Sequence, residues 1–254
     1  MERDTLKKKL YGGQTCLGTW MFIPSPDLME IVGLAGFDFA VIDMEHSPIT
    51  FADAVSMIRA AESRNLTPLI RTSSLDPSLV LRSLDSGAHG VQVPHTENRQ
   101  DCLDMVRFSK YHPQGDRGMG TTTRGGHYSL KNLSEHLPKA NAANLAVVSL
   151  ESAESLKNLP QMLDIEGIDV LYIAPYDLSQ SLGVPGDVEN PKVLQCLEEN
   201  IRKIRDAGKI AGSFASTPKR ARLFKELGVQ YLSCQADASL IRDAFEDVRH
   251  QIFS

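Results

Sequence analysis

Ionisable side chains directly follow short apolar runs at several points along this chain. Asp43, Glu45 and His46 come after Phe-Ala-Val-Ile, Arg71 ends Pro-Leu-Ile, and Glu151 comes after Leu-Ala-Val-Val-Ser-Leu. A loop histidine titrates near neutrality and therefore suits proton transfer, and a guanidinium can hold a carboxylate or stabilise an enolate oxygen. The pattern predicts a site for acid–base chemistry where the apolar segments end.

Two carboxylates, Glu151 and Asp177, indicate a divalent cation. Asp177 stands in Ala-Pro-Tyr-Asp-Leu-Ser, after the apolar run that follows Glu151. Two carboxylates with no cysteine or paired histidines nearby suit a hard, oxygen-preferring ion that keeps several waters. Taken singly, Asp177 could be a helix N-cap and Glu151 a first-turn acid, but the pair on adjacent strands favours a metal site.

His46 and Arg71 each have a structural alternative. His46 is either a surface histidine without a function or a general base that Asp43 or Asp85 orients. Arg71 could form a structural ion pair with a neighbouring acid, although its position at a strand end favours a substrate contact. We take both as candidate catalytic residues.

The apolar runs themselves predict eight strands. Each is rich in Val, Ile, Leu and aromatic residues without clean alternation, as in strands buried on both faces of a parallel sheet. Helical patterns separate them, and eight such strands with right-handed crossovers close a barrel whose active site lies at the carboxyl ends of the strands. The sequence therefore predicts a single α/β domain over residues 1–254, a (β/α)8 TIM barrel. Its strands are predicted at residues 16–22, 39–43, 67–71, 90–94, 145–150, 170–174, 210–214 and 230–234.

Helix signals lie between these strands. Residues 51–64 carry apolar side chains at helical spacing after a candidate N-cap, Thr50, and Asp76-Pro77 opens another helix. The polar, glycine-rich segment 111–143 breaks the rhythm and predicts a functional or interfacial loop. Glycines fall at five joints between a helix and the next strand, where a left-handed C-cap is expected: Gly36, Gly87, Gly167, Gly208 and Gly228.

Composition excludes several classes of protein. The formal charge of −5 argues against nucleic acid as the main partner, since phosphate binding needs a concentrated basic surface. No apolar run is long enough to span a bilayer and the first ten residues lack a signal-peptide core, which together predict a cytoplasmic protein. The four cysteines have neither zinc-site nor disulfide spacing.

Two absences narrow the chemistry. No lysine lies at the carboxyl end of a predicted strand, which disfavours a Schiff-base mechanism. The loops after the seventh and eighth strands lack the glycine-rich turn that commonly holds a phosphate in barrels of this kind. We therefore expect a substrate without a phosphate group.

Motifs along the whole chain resemble the HpcH/HpaI family of class II, pyruvate-dependent aldolases. The resemblance implies a phosphoenolpyruvate/pyruvate-type barrel that cleaves 4-hydroxy-2-oxo acids to pyruvate and an aldehyde, or forms them, through a metal-stabilised enolate. The motifs occur in the family's order and are Gly36-Phe-Asp-Phe-Ala-Val-Ile-Asp-Met-Glu-His46, Pro68-Leu-Ile-Arg71, Leu84-Asp-Ser-Gly-Ala88, Gly115-Asp-Arg-Gly-Met-Gly120, Leu150-Glu151 and Ala174-Pro-Tyr-Asp-Leu-Ser179.

The resemblance also implies residue roles. Glu151 and Asp177 match the family's ligands for Mg²⁺, Mn²⁺ or Co²⁺. His46 matches the histidine assigned to proton transfer and Asp85 its dyad partner, while Arg71 matches the arginine beside the pyruvyl keto oxygen. The implied assembly is a homohexamer built from dimers with swapped C-terminal helices.

Substrate contacts are implied around the sixth strand and next to the metal glutamate. Backbone amides around Ala174, Pro175 and Asp177 match those that receive the pyruvate carboxylate. Three positions depart from the family: Ser149 stands where Gln is common, Ala174 replaces a glycine, and Tyr176 replaces a small residue. We predict that Ser149, Ala174, Pro175 and Tyr176 contact the substrate, and that the departures bear on the aldehyde. Tyr176 could narrow the pocket, donate a hydrogen bond, or simply pack.

Two other functions stay open. A citrate-lyase-type enzyme acting on an acyl-CoA thioester would need a basic groove for adenine, and no Lys- or Arg-rich strip adjoins the motifs. A non-catalytic barrel that binds a keto acid would bind its ligand without metal and tolerate the loss of Glu151.

Overall fold

Eight parallel strands form a closed barrel in the computed structural model, which describes residues 5–128 and 132–253. Neighbours in the barrel are neighbours in sequence, and pairing of Cys16 with Tyr231 joins the last strand to the first. The predicted (β/α)8 architecture is confirmed. The strands are β1 (Cys16–Met21), β2 (Phe39–Asp43), β3 (Thr67–Arg71), β4 (Gly90–Val93), β5 (Leu145–Leu150), β6 (Val170–Ile173), β7 (Ile210–Ala215) and β8 (Tyr231–Ala236).

The strand ends agree with the predicted runs to within two residues. β4 stops at Val93, because Pro94 has no N–H to donate to a neighbouring strand. β6 stops at Ile173, because Ala174 is the N-cap of the helix that follows. β7 and β8 continue past their predicted ends, which brings additional side chains to the catalytic rim of the barrel.

Helices surround the barrel, and the first of them, α1 (Thr5–Tyr11), packs Leu6 and Leu10 against the cluster that fills its interior. The predicted helix at 51–64 begins after a capping box between Thr50 and Asp53. Asp76 is the N-cap of the helix predicted to open at Pro77. The remaining helices are α2 (Pro26–Leu34), α3 (Phe51–Ser63), α4 (Pro77–Asp85), α5 (Arg99–Ser109), α6 (Leu133–Ala143), α7 (Ala153–Asn158), α8 (Pro175–Ser181), α9 (Pro191–Asp206), α10 (Pro218–Glu226) and α11 (Asp237–Phe253).

The five glycines predicted at helix–strand joints all adopt positive φ, between 73° and 100°. Each therefore provides the left-handed residue that ends a helix and turns the chain into the next strand. These joints lie at the amino-terminal ends of the strands. The ionisable residues that follow the strands lie at the opposite rim, at the carboxyl ends.

Aromatic rings fill the inside of the barrel, and glycines on the strands make room for them. A Cβ on Gly18 would lie 2.2 Å from the ring of Phe39, and one on Gly212 would lie 2.8 Å from Tyr172. The rings of Phe39 and Tyr231 stack with their centroids 4.2 Å apart. Side chains of the described residues thus fill the inside of the barrel.

The segment 111–143 is attached to the outside of the barrel at α3 and α4. Arg117 donates to the Asp85 carboxylate at 2.7 Å, the Gly125 amide donates to the Asp85 carbonyl at 2.9 Å, and Arg124 pairs with Glu62. The helix α6 forms the last part of the segment, and residues 129–131 lie outside the described residues. A functional or interfacial role for this segment stays a prediction.

The last helix, α11, leaves an apolar face exposed. Phe245, Val248 and Ile252 share this face by helical spacing, and each is more than half exposed. Ile31 and Leu34 of α2 are also more than half exposed. Within residues 5–128 and 132–253, no helix combines the length and the apolar character needed to cross a bilayer.

Substituting the glycine that opens β4 tests the packing inside the barrel. In Gly90→Ala, the new Cβ would lie 2.5 Å from the carbonyl oxygen of Leu145, an atom that is fixed in the adjacent strand. We expect the free energy of unfolding to fall by about 1–3 kcal/mol, as measured by urea denaturation. Gly118→Ala is the control, because its Cβ meets only Leu81 at 3.8 Å and should change stability little. Equal stability of both variants would contradict the packing described here.

Candidate active site

A pocket of about 260 Å³ opens at the carboxyl ends of the strands. Side chains from the ends of β1, β2, β3, β6, β7 and β8 and from the start of α8 meet there. The position agrees with the expectation that barrel enzymes build their sites at this rim. The lining residues are Trp20, Phe22, His46, Arg71, Tyr172, Ala174, Pro175, Tyr176, Asp177, Phe214 and Ala236.

Arg71 is held by acids on the neighbouring strand. The register of β2 and β3 places Asp43 opposite Arg71, and the guanidinium donates to both Asp43 carboxylate oxygens, with Nε at 3.1 Å. A second acid, Glu45, lies 3.2 Å from another guanidinium nitrogen. The structural ion pair considered as an alternative therefore exists, and Arg71 lines the pocket as well.

Hydrogen bonds inside the barrel support Arg71 from below. Its guanidinium carbon lies 4.3 Å from the centre of the Trp20 ring, a cation–π contact. The Trp20 indole N–H donates to the Ser233 hydroxyl at 3.0 Å, and the Tyr172 hydroxyl lies 2.8 Å from the same oxygen. Since Trp20 and Tyr172 are buried, this network keeps the aromatic floor under Arg71 in one orientation.

His46 lines the pocket with an exposed ring. Its backbone amide donates to Asp43 at 3.2 Å, while the acid nearest its ring is Glu45, 3.9 Å from Nε2. Asp43 thus fixes the backbone of His46, whereas no contact between the ring and Asp43 is seen in the described part of the chain.

Asp85, the predicted partner of His46, lies elsewhere. Its carboxylate binds Arg117 and lines a separate surface depression together with Arg82, Arg124 and Tyr128. The structure of one chain therefore does not bring Asp85 and His46 into one pocket, and the dyad stays a prediction.

Glu151 lies beside the pocket, almost fully buried at the end of β5. Burial raises the pKa of its carboxyl to about 7; the charge of His95 opposes this, and the negative charges of Asp177 and Glu45 add to it. His95 Nδ1 lies 2.7 Å from Glu151, and its other ring nitrogen lies 3.2 Å from Glu45. The charges of two further carboxylates thus act on Glu151, which is unfavourable unless positive charge lies nearby.

The residues present fit a hard divalent cation. Glu151 directly follows β5 and Asp177 lies in the first turn of α8, which follows the neighbouring strand β6, so both supply carboxylate oxygens at the same rim. Among the described residues there is no group of three or more His, Cys, Asp and Glu side chains arranged around one point. Such a pair suits Mg²⁺ or Mn²⁺, which bind one or two carboxylates and complete their shells with water and substrate oxygens.

The other predicted substrate contacts divide into two groups. Ala174, Pro175 and Tyr176 line the pocket at the start of α8. Ser149 does not line it: its side chain is buried within the barrel and accepts a hydrogen bond from Gln92 at 3.0 Å. The Ser149 hydroxyl thus forms a hydrogen bond with Gln92 of the neighbouring strand β4. A direct contact between Ser149 and the substrate stays a prediction.

No role in the site was predicted from the sequence for His95, Glu45 or Trp20, although Glu45 belongs to the group of ionisable residues that follows β2. His95 follows β4, and its positive φ of 51° turns the ring onto Glu151. A histidine directly after a strand was a visible signal, but its backbone conformation was not. Trp20 and Glu45 act through contacts with Arg71, and such contacts depend on strand register rather than on residue type.

Comparisons with known proteins show what the chain as a whole is similar to. The family model for HpcH/HpaI aldolase/citrate lyase matches residues 17–244. A 4-hydroxy-2-oxo-heptane-1,7-dioate aldolase from Shigella sonnei is 32% identical over 244 residues, which cover 96% of this chain and 92% of that protein.

Solved structures give the same result. A HpcH/HpaI aldolase/citrate lyase family protein from Burkholderia cenocepacia J2315 has a TM-score of 0.94 at 29% identity, covering 99% of this chain and all of that one. The citrate synthase SbnG has a TM-score of 0.88 at 26% identity, covering 97% of this chain and 96% of that one. The predicted resemblance is confirmed: this chain belongs to the HpcH/HpaI aldolase/citrate lyase family of carbon–carbon lyases.

Proposed function

We propose that this protein is a metal-dependent aldolase that cleaves 4-hydroxy-2-oxo acids to pyruvate and an aldehyde, or forms them. The observation that supports this most strongly is that three side chains lie at one rim of the barrel. They are Arg71, which is held by Asp43, and the carboxylates of the buried Glu151 and of Asp177. The relatives named 4-hydroxy-2-oxo-heptane-1,7-dioate aldolase support the same chemistry. We further propose one barrel domain over residues 1–254 and a cytoplasmic location.

The start of α8 is proposed to receive the pyruvate carboxylate. Among its first residues, the Ala174 amide already donates to the Leu150 carbonyl at 3.1 Å, and Pro175 has no N–H. The amides of Tyr176 and Asp177 are therefore the donors left for an anion in the first turn of this helix. Of the backbone amides that the resemblance implies for the pyruvate carboxylate, we therefore propose two, those of Tyr176 and Asp177.

Residues of this chain are proposed to carry out the proton transfer and the charge stabilisation. His46 removes the proton of the 4-hydroxyl group, and the O–H electron pair becomes the second bond of the aldehyde carbonyl. The electron pair of the C3–C4 bond forms the C2–C3 double bond of the enolate, and the π pair of the 2-oxo group moves to its oxygen. Arg71, held by Asp43, stabilises the negative charge on the enolate oxygen. Protonation of C3 then gives pyruvate. A divalent cation held by Glu151 and Asp177 would supply Lewis acidity at the 2-oxo group.

The assignment of Asp85 needs a second copy of the chain. Because Asp85 and His46 line different pockets of one chain, a dyad could form only if a partner brings its own Asp85 to the rim. The exposed apolar face of α11 supports such an assembly, since a face of this kind is normally covered. We propose a homo-oligomer in which α11 packs on a second copy, as the swapped helices of the implied hexamer would.

Pyruvate release tests the reaction itself. A panel of 4-hydroxy-2-oxo acids should yield pyruvate with added Mg²⁺ or Mn²⁺, and EDTA should abolish it because the carboxylate pair is the proposed cation site. A coupled lactate dehydrogenase assay measures the product. Release that is unaffected by EDTA would contradict metal dependence, and no release from any substrate would favour the acyl-CoA lyase or the non-catalytic barrel.

Glu151→Gln keeps the size of the side chain and removes its charge. We expect Mg²⁺ affinity, measured by titration calorimetry, to fall about 100-fold together with activity, because a charged ligand is lost. Glu154→Gln is the matched control, since Glu154 is an exposed acid on α7 whose contacts with described residues, Lys157 and Asn158, lie within its own helix. Full activity of metal-free Glu151→Gln would refute the assignment.

Arg71→Lys tests the fixed guanidinium. Lysine keeps the charge but lacks the planar guanidinium that holds both Asp43 oxygens in a fixed geometry, so we expect kcat to fall by about 100-fold or more. Arg64→Lys is the control, because Arg64 pairs with Glu30 on the surface and should leave kcat unchanged. An unchanged kcat in Arg71→Lys would show that a loosely held charge is sufficient.

A charge on the apolar face of α11 tests the assembly. Phe245→Asp should shift the mass measured by light scattering after gel filtration towards the monomer, since it would bury an unpaired carboxylate. Asp243→Asn, on the opposite face of the helix by spacing, should leave the mass unchanged. A wild-type protein that is monomeric would refute the proposed assembly.

A further inference from the structure

The indole ring of Trp20 lies beneath the guanidinium of Arg71. The guanidinium carbon is 4.3 Å from the ring centre, while Asp43 and Glu45 hold the same group through its nitrogens, with Nε 3.1 Å from Asp43. A planar group that is held along its edge can still tilt about the line to its partner. The ring under its face limits this rotation.

The tilt of the guanidinium plane decides where Arg71 can donate. Asp43 accepts from two of the five N–H groups, and the other three lie in the same plane. In the proposed reaction these groups meet the 2-oxygen, which is neutral in pyruvate and negatively charged in the enolate. A tilted guanidinium would therefore weaken the binding of the enolate more than the binding of pyruvate.

The hydroxyl of Ser233 fixes the orientation of the indole in turn. It accepts from the Trp20 N–H at 3.0 Å, lies 2.8 Å from the Tyr172 hydroxyl and donates to the Ser213 carbonyl at 3.3 Å. A serine hydroxyl has one proton and two lone pairs, so all three are used when Tyr172 is the donor. Without this hydroxyl, the Trp20 N–H and the Tyr172 O–H would lose the acceptor that they share.

These contacts lie below the rim, inside the barrel. Ser233 is fully buried, and Trp20 and Tyr172 are only 5% and 2% exposed. A second copy of the chain that completes the rim would add groups around Arg71, but it would not reach the Ser233 hydroxyl. The support of Arg71 from below is therefore a property of each barrel by itself.

We propose, on the basis of the proposed function, that Ser233 is a positioning residue for the aldolase reaction. It acts through Trp20, whose ring sets the tilt of Arg71, and it is not among the described residues that line the pocket. The step that it favours is formation of the charged enolate, which Arg71 stabilises. Tyr172 assists by donating to the same hydroxyl.

Oxalate and pyruvate distinguish positioning from a general loss of stability. Oxalate is a planar dianion with a charged oxygen where the enolate has one, whereas pyruvate has a ketone there. In Ser233→Ala with excess Mg²⁺, the Kd of oxalate, measured by titration calorimetry, should rise about tenfold relative to the Kd of pyruvate. In turnover, kcat should fall by a similar factor with KM nearly unchanged. Equal weakening of both ligands would overturn the proposal.

Ser213→Ala is the matched control. Ser213 is an equally buried serine on the neighbouring strand β7, and its hydroxyl donates to the Ile173 carbonyl at 3.0 Å. This variant also loses a buried hydroxyl, but it leaves the Trp20 N–H bonded. It should lose stability in urea and keep the wild-type ratio of the two Kd values. The same change of ratio in both serine variants would contradict a specific role of Ser233.

Fluorescence reports directly on the indole, because Trp20 is the one tryptophan of the sequence. Quenching by acrylamide should increase in Ser233→Ala, since the ring loses the hydrogen bond that holds it in the interior. It should be unchanged in Ser213→Ala. Unchanged quenching in Ser233→Ala would show that this serine does not hold the ring, and the proposal would fail.

Two milder variants serve if Ser233→Ala does not fold. Ser233→Cys keeps a weaker acceptor of similar size, and Tyr172→Phe removes only the second hydroxyl. Each should raise the ratio of the oxalate Kd to the pyruvate Kd by about threefold, because part of the network is kept. An unchanged ratio in both variants would overturn the proposal.

Deuterium exchange into the pyruvate methyl group separates this proposal from the proposed function. Exchange in D₂O, followed by NMR, reports enolate formation without any aldehyde. If the wild-type protein and Ser233→Ala exchange equally fast, the positioning role alone is overturned. If the wild-type protein does not exchange, the proposed function is overturned and the positioning role with it.

Discussion

The ion pair between Asp43 and Arg71 is the interaction on which the rest of the site depends. Asp43 is fully buried at the end of β2, so its charge requires a partner, and the strand register supplies Arg71 directly opposite. Removing one member of such a pair commonly costs about 3–5 kcal/mol, because an unpaired charge is left in the interior. The barrel therefore cannot close in this register without also placing a guanidinium at the rim.

Carboxylates next to this ion pair repel one of their number, Glu151. Glu45 and Asp177 each repel the charge of Glu151, and His95 opposes this repulsion. Burial of Glu151 increases the cost of its charge. The proposed cation would offset this repulsion. The ion that activates the substrate would therefore also stabilise the ends of β5 and β6, which Glu151 and Asp177 follow.

Most of the fold and half of the site follow from the sequence, for physical reasons. The strands were predictable because burial on both faces requires continuous apolar runs, and the glycine joints because left-handed caps require glycine. Arg71 and Glu151 were predictable because they end such runs. The left-handed backbone of His95, the stacking of Trp20 and the separation of Asp85 from His46 were not, since each depends on contacts between distant segments.

The packed rings of Phe39 and Tyr231 have a kinetic consequence. Because the described side chains fill the barrel below the pocket, ligands enter and leave through the mouth at the carboxyl ends of the strands. In the proposed reaction, pyruvate is bound at Arg71, above the buried Trp20 and Tyr172, so the aldehyde lies between pyruvate and the mouth of the pocket. The aldehyde must then dissociate first and pyruvate second, and synthesis must bind them in the reverse order.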